Sequence, residues 1–287
     1  MPTIDAHHHF WDTTRHTYPW MTEDLASIHR PFAPGDLQPL LDANGVEGTV
    51  LVQTRSDLEE TREFLAIAAE QPFILGVVGW VDLLDPSLAD TVMSLKSAPG
   101  GDKLVAIRHQ VHDEPDPDWL LRPEVQRGLR HVADAGLVYD LLVRTRELPA
   151  AVQVTRALPN LRFVLDHLAK PPFVSGDLSA WSTALRELAT SENVVAAKLS
   201  GLVTEADWKR WTVSDLQPAV DVALQAFGPQ RLMFGSDWPV CLVAATYDRV
   251  LDTARHLTSG LSDTESHQLF HSTATTAYGL HKGEDRP

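Results

Sequence analysis

Eight short apolar stretches, separated by helix-like segments, constrain this 287-residue chain more than any other feature. They fall at 4–11, 49–53, 74–81, 104–109, 137–143, 161–166, 194–199 and 232–234. The first ends in histidines, and the other seven are short and rich in Val, Ile, Leu or Phe, as strands buried on both faces are. The segments between them carry helix signals. Ser56 and Glu59 have capping-box spacing, and Asp85-Pro86 reads as an N-cap followed by Pro at the first helical position. Leu88, Val92 and Leu95 share one helical face, and Gly136 closes a helix over 123–135. Further helices are expected at 32–43, 56–70, 147–157, 178–188, 214–227, 247–257 and 262–278. Strands and helices alternating at intervals of roughly 25 to 45 residues indicate a parallel sheet with crossover helices. Eight such units predict an α/β chain folded as a single (β/α)8 barrel over 1–287. An open doubly wound sheet would usually place a Gly-rich phosphate turn after the first strand. Here that position holds His7-His8-His9.

Charge narrows the partners. There are 24 Lys and Arg against 39 Asp and Glu, a net charge of −15. Nucleic acid and anionic membrane both need a basic footprint that this balance does not offer. No apolar run approaches the length of a membrane span. Cys241 is the single cysteine, which excludes an internal disulfide and suits a reducing compartment. The N-terminal residues show neither a basic region nor an apolar signal core, so the expected location is the cytoplasm. Nothing in the sequence speaks to oligomeric state.

In a barrel of this kind the chemistry sits at the C-terminal ends of the strands. Polar residues follow the apolar run at nearly every such end. They are His7 and His9; Gln53; Trp80 and Asp82; Arg108, His109 and, just beyond, His112; Asp140 and Arg144; Asp166 and His167; Lys198 and Ser200; and Ser236, Asp237 and Trp238. One polar strand end is easily structural, whereas eight in a row favour a shared pocket. Residues two apart on a strand share a face, so His7 and His9 point together and His8 opposes them. Such a pair can hold one divalent metal or bind substrate oxygens. The stretch 12–36, rich in Pro, Trp, His and Thr, reads as a long loop able to fold over the site. His16, His29, His131, His256, His267, His271 and His281 fall on loops or helices, where solvated or structural roles are expected.

Four motifs then carry a family resemblance: Asp5-Ala6-His7-His8-His9-Phe10-Trp11, the run from Phe163 to Pro171 around Asp166-His167, the run from Lys198 to Ala206, and Phe234-Gly235-Ser236-Asp237-Trp238-Pro239-Val240-Cys241. Together and in this order they resemble the amidohydrolase superfamily, and within it the sugar lactonases typified by L-fuconolactonase and L-rhamnonolactonase. The resemblance implies a distorted (β/α)8 barrel. It implies His7 and His9 as the strand-one pair, His167 as the strand-six histidine, and Asp237 as the strand-eight carboxylate and general base. It also implies one divalent metal, zinc before others, held by His7, His9 and Asp237, which some relatives do without. Two departures bear on the metal. Strand four ends Ile107-Arg108-His109, with no bridging lysine, so a binuclear site is not expected. Strand five reads Tyr139-Asp140-Leu141-Leu142, where mononuclear relatives often place a ligand histidine. Ser272-Thr273-Ala274 stands where relatives often show Asn-Ala, with a local structural effect expected.

The expected reaction is hydrolysis of a small sugar lactone. Asp237 activates water. His7 and His9, through a metal or as hydrogen-bond donors, stabilise the oxyanion. His109 and His167 orient the carbonyl. Gln53, Arg108, Asp140, Arg144 and Lys198 bind hydroxyls or hold charge, and Trp11, Trp80 and Trp238 wall the ring. The rivals are a metal-dependent decarboxylase or a pyrone-type lactone hydrolase of the same superfamily, and a non-catalytic barrel that binds sugar acids. A serine nucleophile is not expected, because no Gly-x-Ser-x-Gly elbow is present.

Overall fold

The computed structural model describes residues 2–281, and the polar tail at 282–287 lies outside them. Eight parallel strands pair in chain order: β1 (Thr3–His8), β2 (Val46–Val52), β3 (Ile74–Gly79), β4 (Leu104–His109), β5 (Val138–Leu141), β6 (Arg162–Leu165), β7 (Val194–Leu199) and β8 (Leu232–Phe234). A parallel bridge between His8 and Trp238 joins the last strand to the first and closes the barrel. The expected eight-stranded barrel is therefore observed. Its helices are α1 (Pro34–Asn44), α2 (Leu58–Glu70), α3 (Leu88–Ser97), α4 (Pro123–Asp134), α5 (Leu148–Ala157), α6 (Ser179–Ala189), α7 (Val213–Phe227) and α8 (Tyr247–Leu257).

Three helix boundaries differ from expectation. The cap of α2 is Asp57, whose carboxylate accepts from the Glu59 N–H, and not Ser56. The cap position of α3 is Ser87, because Asp85 is engaged in a turn that accepts from both the amide and the hydroxyl of Ser87. The expected single helix over 262–278 is instead Asp263–His267 and Thr273–Tyr278, separated by a π-helical turn.

The period-two rule builds the barrel interior in layers. Val50, Val52, Val78, Ala106, Val138, Val164, Ala196 and Met233 turn inward with Ile4 and Ala6. The C-terminal helix plugs the end where the strands begin, with Ala274, Ala277, Tyr278 and Leu280 on the same apolar cluster. The larger apolar cluster lies between strands and helices and includes Leu37, Phe64, Leu129, Trp181 and Phe227. The strand-end region at the opposite face is thus held rigidly from below.

Candidate active site

Two residues beyond the inward apolar layer, β4 to β7 present Arg108, Asp140, Asp166 and Lys198. Strand alternation makes these the next inward positions after Ala106, Val138, Val164 and Ala196. All four are buried. Lys198 Nζ lies 2.6 Å from Asp140 Oδ2 and 2.8 Å from Asp166 Oδ1. Arg108 donates to Asp166 Oδ2 at 2.9 Å and to the Gln53 carbonyl. The Tyr278 hydroxyl donates to Asp140 at 2.7 Å. Two cations and two carboxylates thus form one charged layer under the site.

His7, His9, His167 and Asp237 stand on that layer. On β1 the lumen side shifts from Ile4 and Ala6 to His7 and His9, a change of parity that needs an irregularity. The register with β2 breaks between Asp5 and His8, where it is required. Asp5 pins the junction. Its Oδ1 accepts from the amides of His7 (3.2 Å) and Ser236 (2.8 Å), and Tyr247 donates to Oδ2. His8 turns away to Thr49, 2.9 Å from its hydroxyl. His167 opens a run of four left-handed residues, His167 to Lys170, with φ between 49 and 58°. Such residues cost about 1–2 kcal/mol each. The buried Trp181 indole, donating to Leu168 O at 2.7 Å, helps to hold the turn. Asp237 is left-handed too, with φ 58°, and its amide donates to His7 O at 2.8 Å. Gly201, with φ 64°, faces both groups, and a Cβ there would lie 2.6 Å from His167 Nδ1 and 3.3 Å from Asp237 Oδ2. Only glycine leaves those two side chains in place.

The hydrogen bonds assign the His9 tautomer. His9 Nδ1 is 2.7 Å from the Val52 carbonyl, which can only accept, so Nδ1 carries the proton and Nε2 a lone pair. His9 therefore cannot act as an oxyanion donor through Nε2 while neutral, which corrects that part of the expected mechanism. His7 Nε2 lies 3.3 Å from the Arg108 guanidinium, which can only donate. Lys198, whose ammonium has a third N–H beyond its two carboxylates, likewise approaches His7 Nδ1 at 3.1 Å, and Asp166 Oδ1 lies 3.5 Å from the same nitrogen.

The floor gathers three imidazoles and one carboxylate. His7 Nε2 and His9 Nε2 are 3.2 Å apart, and Asp237 Oδ1 is 3.4 Å from His9 Nε2 and 3.8 Å from His7 Nε2. His167 Nε2 completes the group at 3.9 Å from Asp237 Oδ1. Donors of His7, His167 and Asp237 all lie within 4.8 Å of one another. Tetrahedral ligands about 2.0 to 2.1 Å from a zinc ion would be about 3.3 Å apart. The donors of His7, His167 and Asp237 thus fit a single divalent cation; His167 enters where His9 was expected, and His9 Nε2 flanks the group beside His7 and Asp237.

Charge states agree. Burial, with Lys198 nearby, holds His7 well below the usual imidazole range. Burial brings His167 down to about 4. Burial pushes the Asp237 carboxyl up, but the neighbouring His167 and His9 outweigh it, and Asp237 titrates below its ordinary value. At neutral pH the floor holds an ionised Asp237 beside neutral His7 and His167.

These side chains open into a cavity of about 410 Å³. His9, Arg108, His167 and Asp237 line it, as does Arg144. Several expected substrate-binding residues do not. His109 points outward, as its odd position beside Arg108 dictates; it stacks on Trp119 with centroids 4.3 Å apart and bonds Trp80 and Glu114. It is therefore removed from the catalytic set, and Trp80, tied to it, from the ring walls. Trp11 is buried against Tyr18, Trp20 and Phe32, and Trp238 against Phe10 and Phe32. Gln53, Asp140 and Lys198 are wholly buried and support the floor from below. The walls come instead from Trp20, Leu25, Thr54, Gln110, His112, Lys170, Glu205, Trp208, Val240 and Val243. Trp20 and Leu25 belong to the loop expected to fold over the site. His112 had a visible signal, a histidine just past β4, and Trp20 had one in the loop expected to cover the site, whereas Trp208 had none, because loop paths decide what lines a cavity.

The charged layer makes stability depend on pH. Burial raises Asp140 to about 6 despite Lys198, whereas Asp166, facing both Lys198 and Arg108, stays well below its usual range. Between the ordinary carboxylate range and about 6 the folded state binds the Asp140 proton and the unfolded state does not. Raising the pH through this window costs stability, up to about 3 kcal/mol. Asp140→Asn does not titrate. Its stability relative to the parent chain should rise by up to that amount between pH 4 and 6 in urea unfolding, and a flat difference would refute the assignment.

Comparison with known proteins agrees with this geometry. The family described as Amidohydrolase matches residues 4–280. An L-fucono-1,5-lactonase of Burkholderia multivorans (strain ATCC 17616 / 249) is 42% identical over 294 residues, covering 98% of this chain and 97% of that protein. An L-fucono-1,5-lactonase of Burkholderia ambifaria is 40% identical over 244 residues, covering 85% and 82%. A crystal structure of an amidohydrolase from Burkholderia multivorans with bound zinc superposes with a TM-score of 0.92 at 38% identity, covering 98% of this chain and 100% of that one. The chain belongs to the amidohydrolase family.

Proposed function

We propose that this protein is a cytoplasmic hydrolase that opens a sugar lactone to its hydroxy acid. The observation that carries the reading is the floor of the cavity, where the Asp237 carboxylate faces the imidazoles of His7, His9 and His167 within 4 Å. Relatives with this chain's length and 40 to 42% identity bear the name L-fucono-1,5-lactonase, which supports a 6-deoxy sugar lactone as substrate.

His7, His167 and Asp237, flanked by His9, would hold one divalent ion, zinc by the chemistry of the donor set. When bound, the ion supplies Lewis-acid polarisation of a carbonyl and lowers the pKa of water. The chain does the rest. Asp237 accepts a proton from water as the water oxygen bonds to the lactone carbonyl carbon. The ring C–O bond then breaks, and the leaving ring oxygen takes the proton that Asp237 holds. The products are a carboxylic acid, which ionises to solvent, and a free hydroxyl. Arg108 braces Asp166, which lies beside His7 Nδ1. Gln110, His112, Arg144 and Lys170 offer hydrogen bonds to ring hydroxyls. The 20–28 loop, through Trp20 and Leu25, roofs part of the cavity and limits water.

The test is acid release from a panel of aldonolactones, before and after chelation. L-fucono-1,5-lactone should be opened, the rate should fall on chelation, and zinc should restore it. Turnover that survives chelation would remove the metal and leave Asp237 as a metal-free base. No turnover of any lactone would sink the proposal.

A further inference from the structure

The cavity is divided by chemistry as well as by shape. One arc, from β4 to β6, carries Arg108, His112, Arg144 and Lys170. The facing arc, from β8 and the loop after β1, carries Leu25, Val240 and Val243. The helical turns bearing these three, Glu23–Ile28 and Val240–Val243, pack against each other, so they make one surface. Residues 240–245 read Val-Cys-Leu-Val-Ala-Ala, and the Cys241 thiol is fully buried. The side chains of Leu25, Val240 and Val243 offer no hydrogen bond to a hydroxyl, and Trp20, which carries an indole N–H, lies on the side of the same loop that faces Thr54 and Gln110.

A lactone whose carbonyl lies over Asp237 has ring hydroxyls along one edge and the C5 substituent near the other. We infer that Leu25, Val240 and Val243 form the subsite for that C5 substituent and select methyl over hydroxymethyl, with the ring hydroxyls turned toward Arg108, His112 and Arg144. The inference rests on the lactonase reading and adds the residues that set the substrate. A hydroxymethyl group buried on this arc loses its water without gaining a partner. A hydrogen in place of methyl leaves apolar surface uncovered. Each difference should cost about 10- to 100-fold in kcat/KM.

The experiment compares three 1,5-lactones of the L-fucono ring configuration that bear methyl, hydroxymethyl or hydrogen at C5. The parent protein should prefer methyl over both others by about tenfold or more. Val243→Thr adds a hydroxyl at constant shape, and Leu25→Asn adds an amide. In either variant, shown by melting to be folded, the methyl-to-hydroxymethyl ratio should fall about tenfold. Equal rates on all three lactones in the parent protein would overturn the subsite and leave the lactonase reading intact. So would an unchanged ratio in both folded variants. Absence of turnover on all three would overturn the lactonase reading, and the subsite with it.

Discussion

Asp237→Asn should lower kcat for lactone opening by about 10²- to 10⁴-fold, the usual range for losing a positioned base. The substitution suits a clean test. Asn has the shape of Asp and tolerates the left-handed backbone that this position adopts, with φ 58°. The Asp237 amide keeps its bond to His7 O, so the junction of β8 with β1 has no reason to move. What disappears is the charge. An amide cannot take a proton from water, and its neutral oxygen is a poor partner for a cation bound among His7, His9 and His167. Bound zinc should therefore fall together with kcat, while the melting temperature moves by only a few degrees. Both readouts are needed. Loss of rate with zinc retained would identify Asp237 as the base alone. Near-parental turnover by folded protein would show that another group activates the water.

The fold was legible because period and spacing are local properties. β4, β7 and β8 lie where the apolar runs predict them, and α8 matches its expected limits. His7, His9, His167 and Asp237 were legible from motif and strand position. What sequence reasoning mistook was direction. It treated every polar strand end as facing substrate. His109 neighbours Arg108 on β4, and alternation alone turns it outward to Trp119. Asp140 and Lys198 do point inward, but one layer too deep, so they meet each other before any ligand, and Gln53, next to the inward Val52, is spent on the Arg108 carbonyl. Depth depends on how strands tilt and on what plugs the barrel from below, here Tyr278, and neither is written in a local pattern. The aromatic walls were misplaced for a similar reason. Trp11 has its indole N–H held by the Arg30 carbonyl at 2.8 Å, whereas Trp20 and Trp208 reach the cavity along loop paths that no periodicity encodes.

Lys198→Met tests whether that deep layer is part of the machinery. Met has nearly the same length and volume, so packing is spared and the change is chiefly electrostatic. The parent layer balances Lys198 and Arg108 against Asp140 and Asp166. Without Lys198, two buried carboxylates share one guanidinium. Breaking a buried ion pair on one side costs about 3–5 kcal/mol, and urea unfolding at neutral pH should show a loss of that size. Lowering the pH toward 5 should shrink the deficit, because protonating Asp140 removes the surplus charge. Lys198→Met/Asp140→Asn should recover part of it at neutral pH for the same reason. Replacing a whole buried ion pair by neutral groups is often harmless to stability. A double variant that regains stability but not kcat would therefore show what the layer is kept for: it fixes the His7 ring between Asp166 and Arg108 at the floor of the site. A double variant that regains both would make the layer structural filler, and His7 would have to owe its orientation to β1 alone.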